Sequence, residues 1–289
     1  MFILTSAQFK KGYRYLLALC LIDCLAFLFL LSNHSLQANG VYFLSVGEGD
    51  AELVRYKGKN ILIDAGPDRQ ILKALGQLVP LGESIDLAII THSNTDHYEG
   101  LRYVLESYPV RAVIMPEVSN PSPTYRSLLE ELSLGSARFY LAKAGSRIEL
   151  AKNSFFQVLW PLTNNINSST DLNVQALVFF YQDEGKKFLF TSDIGEKEES
   201  KILMLYPDLK TDILKIAHHG SKGSNSYAWL KTLNPAYSII EVGNNSYGHP
   251  TMEVLNRLAD LNILTFRTDW QGTIGFVFKE NGSFDLTYR

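Results

Sequence analysis

The chain has 289 residues, 46% of them hydrophobic, enough for one large domain with a substantial core or two small ones. Its formal net charge is -3, and setting aside the three bases and one acid of the first 38 residues leaves -5. The basic excess usual for tight nonspecific nucleic-acid binding is therefore absent, although a local patch or a metal ion would still hold phosphates.

In the first 38 residues, Lys10, Lys11 and Arg14 precede an apolar run over 15–31, after which residues 32–40 turn polar. The run meets the lower limit for a spanning helix and exceeds most signal-peptide cores, which favours a retained membrane anchor. Asp23 in its middle is a cost that a partner helix or protonation would offset. Leu36-Gln37-Ala38 fits a cleavage site poorly, so secretion after signal cleavage is the alternative, and a buried amphipathic helix of the domain is a third. With the bases preceding the run, the N-terminus is expected in the cytoplasm and residues 39–289 outside it as one domain.

Both cysteines, Cys20 and Cys24, lie in the apolar run. The globular part therefore has no disulfide partner and no thiolate metal site. Neither Leu19 nor Asp23 supplies the small residue expected before a lipid-modified cysteine.

Strands are predicted over 41–46, 51–56 and 60–64, with Lys57-Gly58-Lys59 as a hairpin turn. Helical spacing follows at 70–78, 98–108, 124–134, 196–206 and 251–261, and buried strands at 87–91, 112–115, 213–217 and 238–242. A second group of strands covers 154–160, 174–181 and 187–191. Residues 161–170, rich in Asn, Ser and Thr, read as the most loop-like interior stretch. Strands, then strand-helix alternation, then the same order again, resembles a duplicated unit: a four-layer αββα sandwich with two mixed sheets flanked by helices, plus an N-terminal apolar helix.

The run HSNTDH, from His92 to His97, directly follows the apolar segment Leu87-Ala88-Ile89-Ile90. Imidazole and carboxylate are ligands for Zn, Mn or Fe, and a tight turn at a strand end converges them on one ion. Four of the six histidines form two tight clusters, His92 with His97 and His218 with His219; His249 sits in a Gly-His-Pro turn, and only His34 lacks such a context. Asp64 in LIDAG and Asp193 in LFTSD also end predicted strands. Each aspartate alone has an ordinary reading as a turn former or helix N-cap, Asp193 most clearly. The joint pattern is what points to a metal.

These motifs resemble the metallo-β-lactamase superfamily, and within it the C-terminal hydrolase domain of the DNA-uptake protein ComEC and its stand-alone relatives. Ser45-Val46-Gly47-Glu48-Gly49-Asp50-Ala51 is similar to the family's VGQGDA turn, with Glu48 in place of Gln. LIDAG, THSNTDH, LFTSD, HHGS and YGHP follow in the family's order, so the resemblance covers residues 41 to about 285. It implies one or two divalent ions, Zn or Mn. His92 would serve the first position, and Asp96, His97 and His219 the second, with Asp193 able to bridge.

Asn94 and Asn173 stand where the commoner pattern has His or Asp and His. An amide oxygen can ligate but lacks charge and imidazole basicity, so these are weak ligands and one resting ion is plausible. Asp64, and with it Asp50, is expected to orient ligands by hydrogen bonds.

A bound ion would make hydroxide from water near neutral pH and stabilise a phosphorane-like transition state, with no side-chain nucleophile. Asp193 or Asp96 would position the water, and His218 or His249 would donate to the phosphoryl or leaving oxygen. His218 and His219 would point to opposite faces if they continue a strand, which favours His219 as the ligand. Ser221 and Lys222 are candidates for meeting a phosphate.

The resulting expectation is a membrane-anchored, extracytoplasmic, metal-dependent phosphodiesterase, a nuclease acting on DNA. One alternative is hydrolysis of a small phosphodiester or ester, such as a phosphorylcholine group. The other is a catalytically weak module that binds nucleic acid or a partner. With at most one spanning segment, a role in competence would require a separate channel protein.

Overall fold

The computed structural model describes residues 18–25, 39–117, 120, 122–162 and 171–289. It divides into two compact units, residues 1–38 and 39–289. In the first unit, residues 18–25 form a helix, α1. No helix among the described residues is long and apolar enough to cross a membrane. The remainder of the expected anchor, and most of the predicted loop over 161–170, lies outside the described residues.

The second unit begins with β1 (Gly40–Phe43), β2 (Glu52–Tyr56), β3 (Lys59–Ile63), α2 (Gln70–Gly76), β4 (Leu87–Ile89), α3 (Thr95–Tyr98), α4 (Leu101–Ser107), β5 (Ala112–Pro116), α5 (Pro123–Leu134) and β6 (Arg138–Ala142). It continues through β7 (Arg147–Ala151), β8 (Ser154–Trp160), β9 (Val178–Asp183), β10 (Lys186–Phe190), α6 (Glu196–Leu205), β11 (Ile213–Lys215), α7 (Tyr227–Leu233) and β12 (Tyr237–Ile240). α8 (Met252–Asp260), β13 (Leu264–Arg267), α9 (Thr268–Gln271), β14 (Ile274–Phe278) and β15 (Phe284–Tyr288) complete it.

Two sheets result, ordered β15-β14-β1-β2-β3-β4-β5-β6 and β13-β12-β11-β10-β9-β8-β7. Each is mixed. β3 to β6 run parallel in the first, and β10 to β13 run parallel in the second.

The period-two alternation of side chains assigns the layers. Val41 and Phe43 enter the core between the sheets, with Phe156, Phe179, Phe188, Phe190 and Phe276. Their neighbours Tyr42 and Leu44 face outward, under residues of α2, α4 and α5. Residues of α6, α7 and α8 cover the second sheet in the same way. The architecture is a four-layer αββα sandwich.

The helix expected over 98–108 is interrupted at Gly100. A Cβ there would lie 1.9 Å from the Ala65 carbonyl oxygen, and the Gly100 amide donates to Gly66 O at 2.8 Å. That close backbone approach presses the loop after β3 against the loop after β4. The strand expected from 174 starts at Val178, because Leu172–Gln175 close a 3-10 turn in which the Asp171 side chain accepts from the Asn173 amide.

Candidate metal centre

The polar residues converge because the parallel strands of both sheets end along one edge, where ligands of open α/β sheets gather. Asp64 follows β3, His92 follows β4, Asp193 follows β10, His218 and His219 follow β11, and Glu241 follows β12. The β1–β2 turn brings Asp50 to the same edge. A Cβ on Gly49 in that turn would lie 2.2 Å from the Asp96 carbonyl oxygen, so only glycine lets the two loops meet.

Asp96, His97, Asp193 and His219 form one group whose candidate donor atoms all lie within 4.8 Å of one another. His97 Nε2 is 3.3 Å from Asp193 Oδ2 and 3.9 Å from Asp96 Oδ2. His219 Nε2 is 3.5 Å from Asp96 Oδ2 and 3.7 Å from Asp193 Oδ2. Nitrogen and oxygen ligands at zinc bond lengths, set tetrahedrally, are separated by about 3.3–3.6 Å. Both Nε2 atoms are buried without a hydrogen-bond partner among the described residues. Such atoms are costly unless something else satisfies them, so the residues fit a divalent ion.

The rings are oriented from behind. Asp64 Oδ2 faces His97 Nδ1 at 2.7 Å, and the carboxylate also accepts from the Thr91 amide and hydroxyl. His219 Nδ1 faces the Glu241 carbonyl at 2.8 Å. With Nδ1 protonated, each ring turns its Nε2 lone pair into the group. Burial works against charging His97, but Asp193, Asp64, Asp50 and Asp96 together hold its pKa well above the ordinary histidine value. His219 is raised to about 9, burial again being outweighed by carboxylates led by Asp193. Burial also opposes the Asp193 charge, yet His97, His219 and Lys215 keep that carboxyl well below its usual range.

His92 is fully buried, its ring centroid 4.1 Å from that of His97. Its Nδ1 meets Thr91 and Ser192 hydroxyls, while its Nε2 has no partner among the described residues. Burial, followed by the neighbouring His97 charge, depresses its pKa well below normal. Asn94 and Asn173 bond each other, Nδ2 to Oδ1 at 2.7 Å. One imidazole and an amide pair already joined make a poor second cation position.

The sequence-based geometry at His218 and His219 requires correction. β11 ends at Lys215, and both histidines have positive φ, 51° and 50°, in a 3-10 turn. The left-handed turn, not strand alternation, aims them, so both serve the same edge. His218 Nε2 lies 3.8 Å from Asp193 Oδ2, and the His218 ring is 5.6 Å from that of His249. The N-cap of α6 is Gly195, so Asp193 is not the cap. Ser221 is partly buried and Lys222 exposed; among the described residues no ion pair joins Lys222 to the cluster.

Sequence reasoning missed the polar floor beneath the site. Lys215 is wholly buried, paired with Asp50 and 4.0 Å from Asp193 Oδ1. Glu52 and Glu241 are buried beside Asp50. The signal available was a lysine inside the apolar strand Ile213-Leu214-Lys215-Ile216. Glu48 was seen only as a departure from a motif; its Oε2 accepts from the Gly243 amide at 2.8 Å, and Oε1 is 4.0 Å from His249 Nδ1.

Burial, then repulsion from Asp50, lifts Glu241 to about 8, and Glu52 is raised well above its normal value. A carboxyl that binds its proton more tightly folded than unfolded stabilises the fold fully below the ordinary carboxylate range. That contribution is lost as pH rises toward the folded value. Metal-free Glu241→Gln protein is therefore expected to lose less thermal stability than wild type between about pH 5 and about pH 8. Equal losses in melting curves at the two pH values would contradict the assignment.

The sequence model of the metallo-beta-lactamase superfamily matches residues 45–240. ComE operon protein 3 of Bacillus subtilis is 28% identical over 306 residues, covering 98% of this chain and 39% of that protein. Competence protein ComA of Neisseria gonorrhoeae is 26% identical over 249 residues, covering 82% of this chain and 32% of that protein. The chain thus spans roughly a third to two fifths of these relatives' lengths. Among solved structures, the metallo-beta-lactamase fold protein YhfI of Bacillus subtilis superposes with a TM-score of 0.57 at 10% identity, over 82% of this chain and 99% of that one.

Proposed function

This chain belongs to the metallo-beta-lactamase superfamily as a metallo-hydrolase, and we propose that it is a phosphodiesterase, a nuclease acting on DNA outside the cytoplasmic membrane. The observation that carries the reading is the buried group of Asp96, His97, Asp193 and His219, with its unpartnered Nε2 atoms. The competence relatives support DNA as the substrate and an association with the membrane.

Asp96, His97, Asp193 and His219 would hold the ion, Zn or Mn. When bound, it supplies the Lewis acidity and charge that help water attack a phosphodiester. The remaining work falls to the protein. Asp64 and the Glu241 carbonyl fix the two imidazoles. Asp193, with Lys215 behind its Oδ1, orients the attacking water. His218 is one-third exposed and lies beside Asp193, placed to give a proton to the leaving oxygen. His249 stands next to it, and is assigned to donate to a phosphoryl oxygen. Ser221 and Lys222 extend this face toward solvent.

The test is hydrolysis of single-stranded DNA, duplex DNA and bis-p-nitrophenyl phosphate by the full chain supplied with Mn or Zn. Turnover of the oligomers supports the proposal. Turnover of the small diester alone favours the small-phosphodiester alternative, and no turnover with any metal sinks the enzyme reading.

The joined amides at Asn94 and Asn173 lead to a separate expectation of one tightly held ion per chain. Asn94→His adds an imidazole beside His92 and is expected to raise the stoichiometry toward two in a zinc titration. A wild-type chain already holding two ions of equal affinity would contradict this.

A further inference from the structure

A row of aromatic rings runs from the metal centre to solvent. The His97 and His219 ring centroids are 5.8 Å apart, His219 and His218 6.1 Å, His218 and His249 5.6 Å, and His249 and Tyr247 5.8 Å. The final pair is stacked, with 29° between ring planes. Tyr247 is 75% exposed, so one face of its ring is open to solvent while the other lies against His249.

The loop that presents it is tied down. Asn245 Oδ1 accepts from the amides of Tyr247 and His249, both at 3.1 Å, while Asn245 Nδ2 donates to the His249 carbonyl at 2.9 Å and to Glu48 Oε2 at 3.3 Å. Among the described residues, the ring contact recorded for Tyr247 is with His249. Tyr247 therefore offers a flat ring on a braced loop.

We infer that Tyr247 is the platform on which an unpaired base of the substrate stacks, next to the phosphodiester held at the metal centre. This rests on the nuclease reading above. A one-sided flat ring suits a nucleobase, whereas a quaternary ammonium group is held by an aromatic cage. A base still paired and stacked within a duplex has no face to offer, so the site selects single strands or frayed ends. Because every base has a face to stack, the platform needs no base-specific hydrogen bonds.

The test uses the metal-loaded full chain, with labelled oligothymidylate and an abasic oligomer of equal length whose linkages resist hydrolysis, read by fluorescence anisotropy. Tyr247→Ala is expected to weaken oligothymidylate binding by roughly 5- to 150-fold, the size of one lost base–aromatic stack. Tyr247→Trp should retain binding, and the abasic oligomer should not distinguish Tyr247→Ala from wild type.

Equal binding of oligothymidylate by wild type and Tyr247→Ala overturns the inference. So does an equal loss on the abasic oligomer, or a loss confined to p-nitrophenyl phosphorylcholine. Absence of oligomer binding overturns it as well; if the small diester is still hydrolysed, phosphodiesterase activity survives that failure.

Discussion

Asp193→Ala is expected to abolish tight metal binding and to lower phosphodiester turnover at least about a thousandfold, beyond the 10–100-fold typical of losing a group that only orients a ligand. Asp193 is buried, with Oδ2 3.3 Å from His97 Nε2 and 3.7 Å from His219 Nε2. Without its carboxylate, the two imidazoles keep only Asp96, one-third exposed, as an anionic partner in that group. Asp64→Asn provides the contrast. Its residue touches His97 Nδ1 and not the open Nε2 face, so activity should fall by about 10–100-fold while metal binding weakens without vanishing. Turnover and metal content measured on both variants check the ordering; equal losses would place the two aspartates in one role.

Lys215→Met is expected to destabilise the fold by about 3–5 kcal/mol, the range for breaking a buried ion pair by removing one partner. The lysine is fully buried, and it neutralises Asp50 in a floor that also contains Glu52 and Glu241. Burial disfavours its charge, but Asp50, Asp193, Glu241 and Glu52 raise its pKa. Methionine fills similar space while leaving Asp50 without its ammonium partner, with only the His97 and His219 imidazoles beside it at 3.7 and 3.4 Å. Denaturant unfolding compares the variant with wild type, and a loss below about 1 kcal/mol would show that the floor does not need the charge. Lys215→Met,Asp50→Asn should recover part of the loss, because the stranded carboxylate is gone as well.

The chemistry of the site was more legible than its shape. HSNTDH, LFTSD and HHGS stand out because clustered imidazoles and carboxylates at strand ends have little packing purpose, and the structure brings Asp96, His97, Asp193 and His219 from these motifs together. The apolar run beginning Val41-Tyr42-Phe43-Leu44 marked a strand, and the structure covers both of its faces.

Other features depended on contacts remote in sequence. The strand predicted over 213–217 ends at Lys215, because the chain turns into the left-handed 3-10 turn that carries His218 and His219, a change no hydrophobic period signals. β6 is largely exposed, Phe139, Tyr140 and Leu141 included, so burial did not mark it as a strand. Lys215 looks anomalous in sequence, but its partner Asp50 comes from the turn between β1 and β2. Glu241 and Glu52 meet only once β12 and the β1–β2 hairpin share an edge.

The central claim is that Asp96, His97, Asp193 and His219 are one metal cage. Its most direct test is elemental analysis of the full chain and of Asp193→Ala, each loaded with zinc or manganese and then freed of loose ions. About one ion per wild-type chain and almost none in the variant is the predicted result. No retained ion in wild type, or equal retention in both proteins, would contradict it.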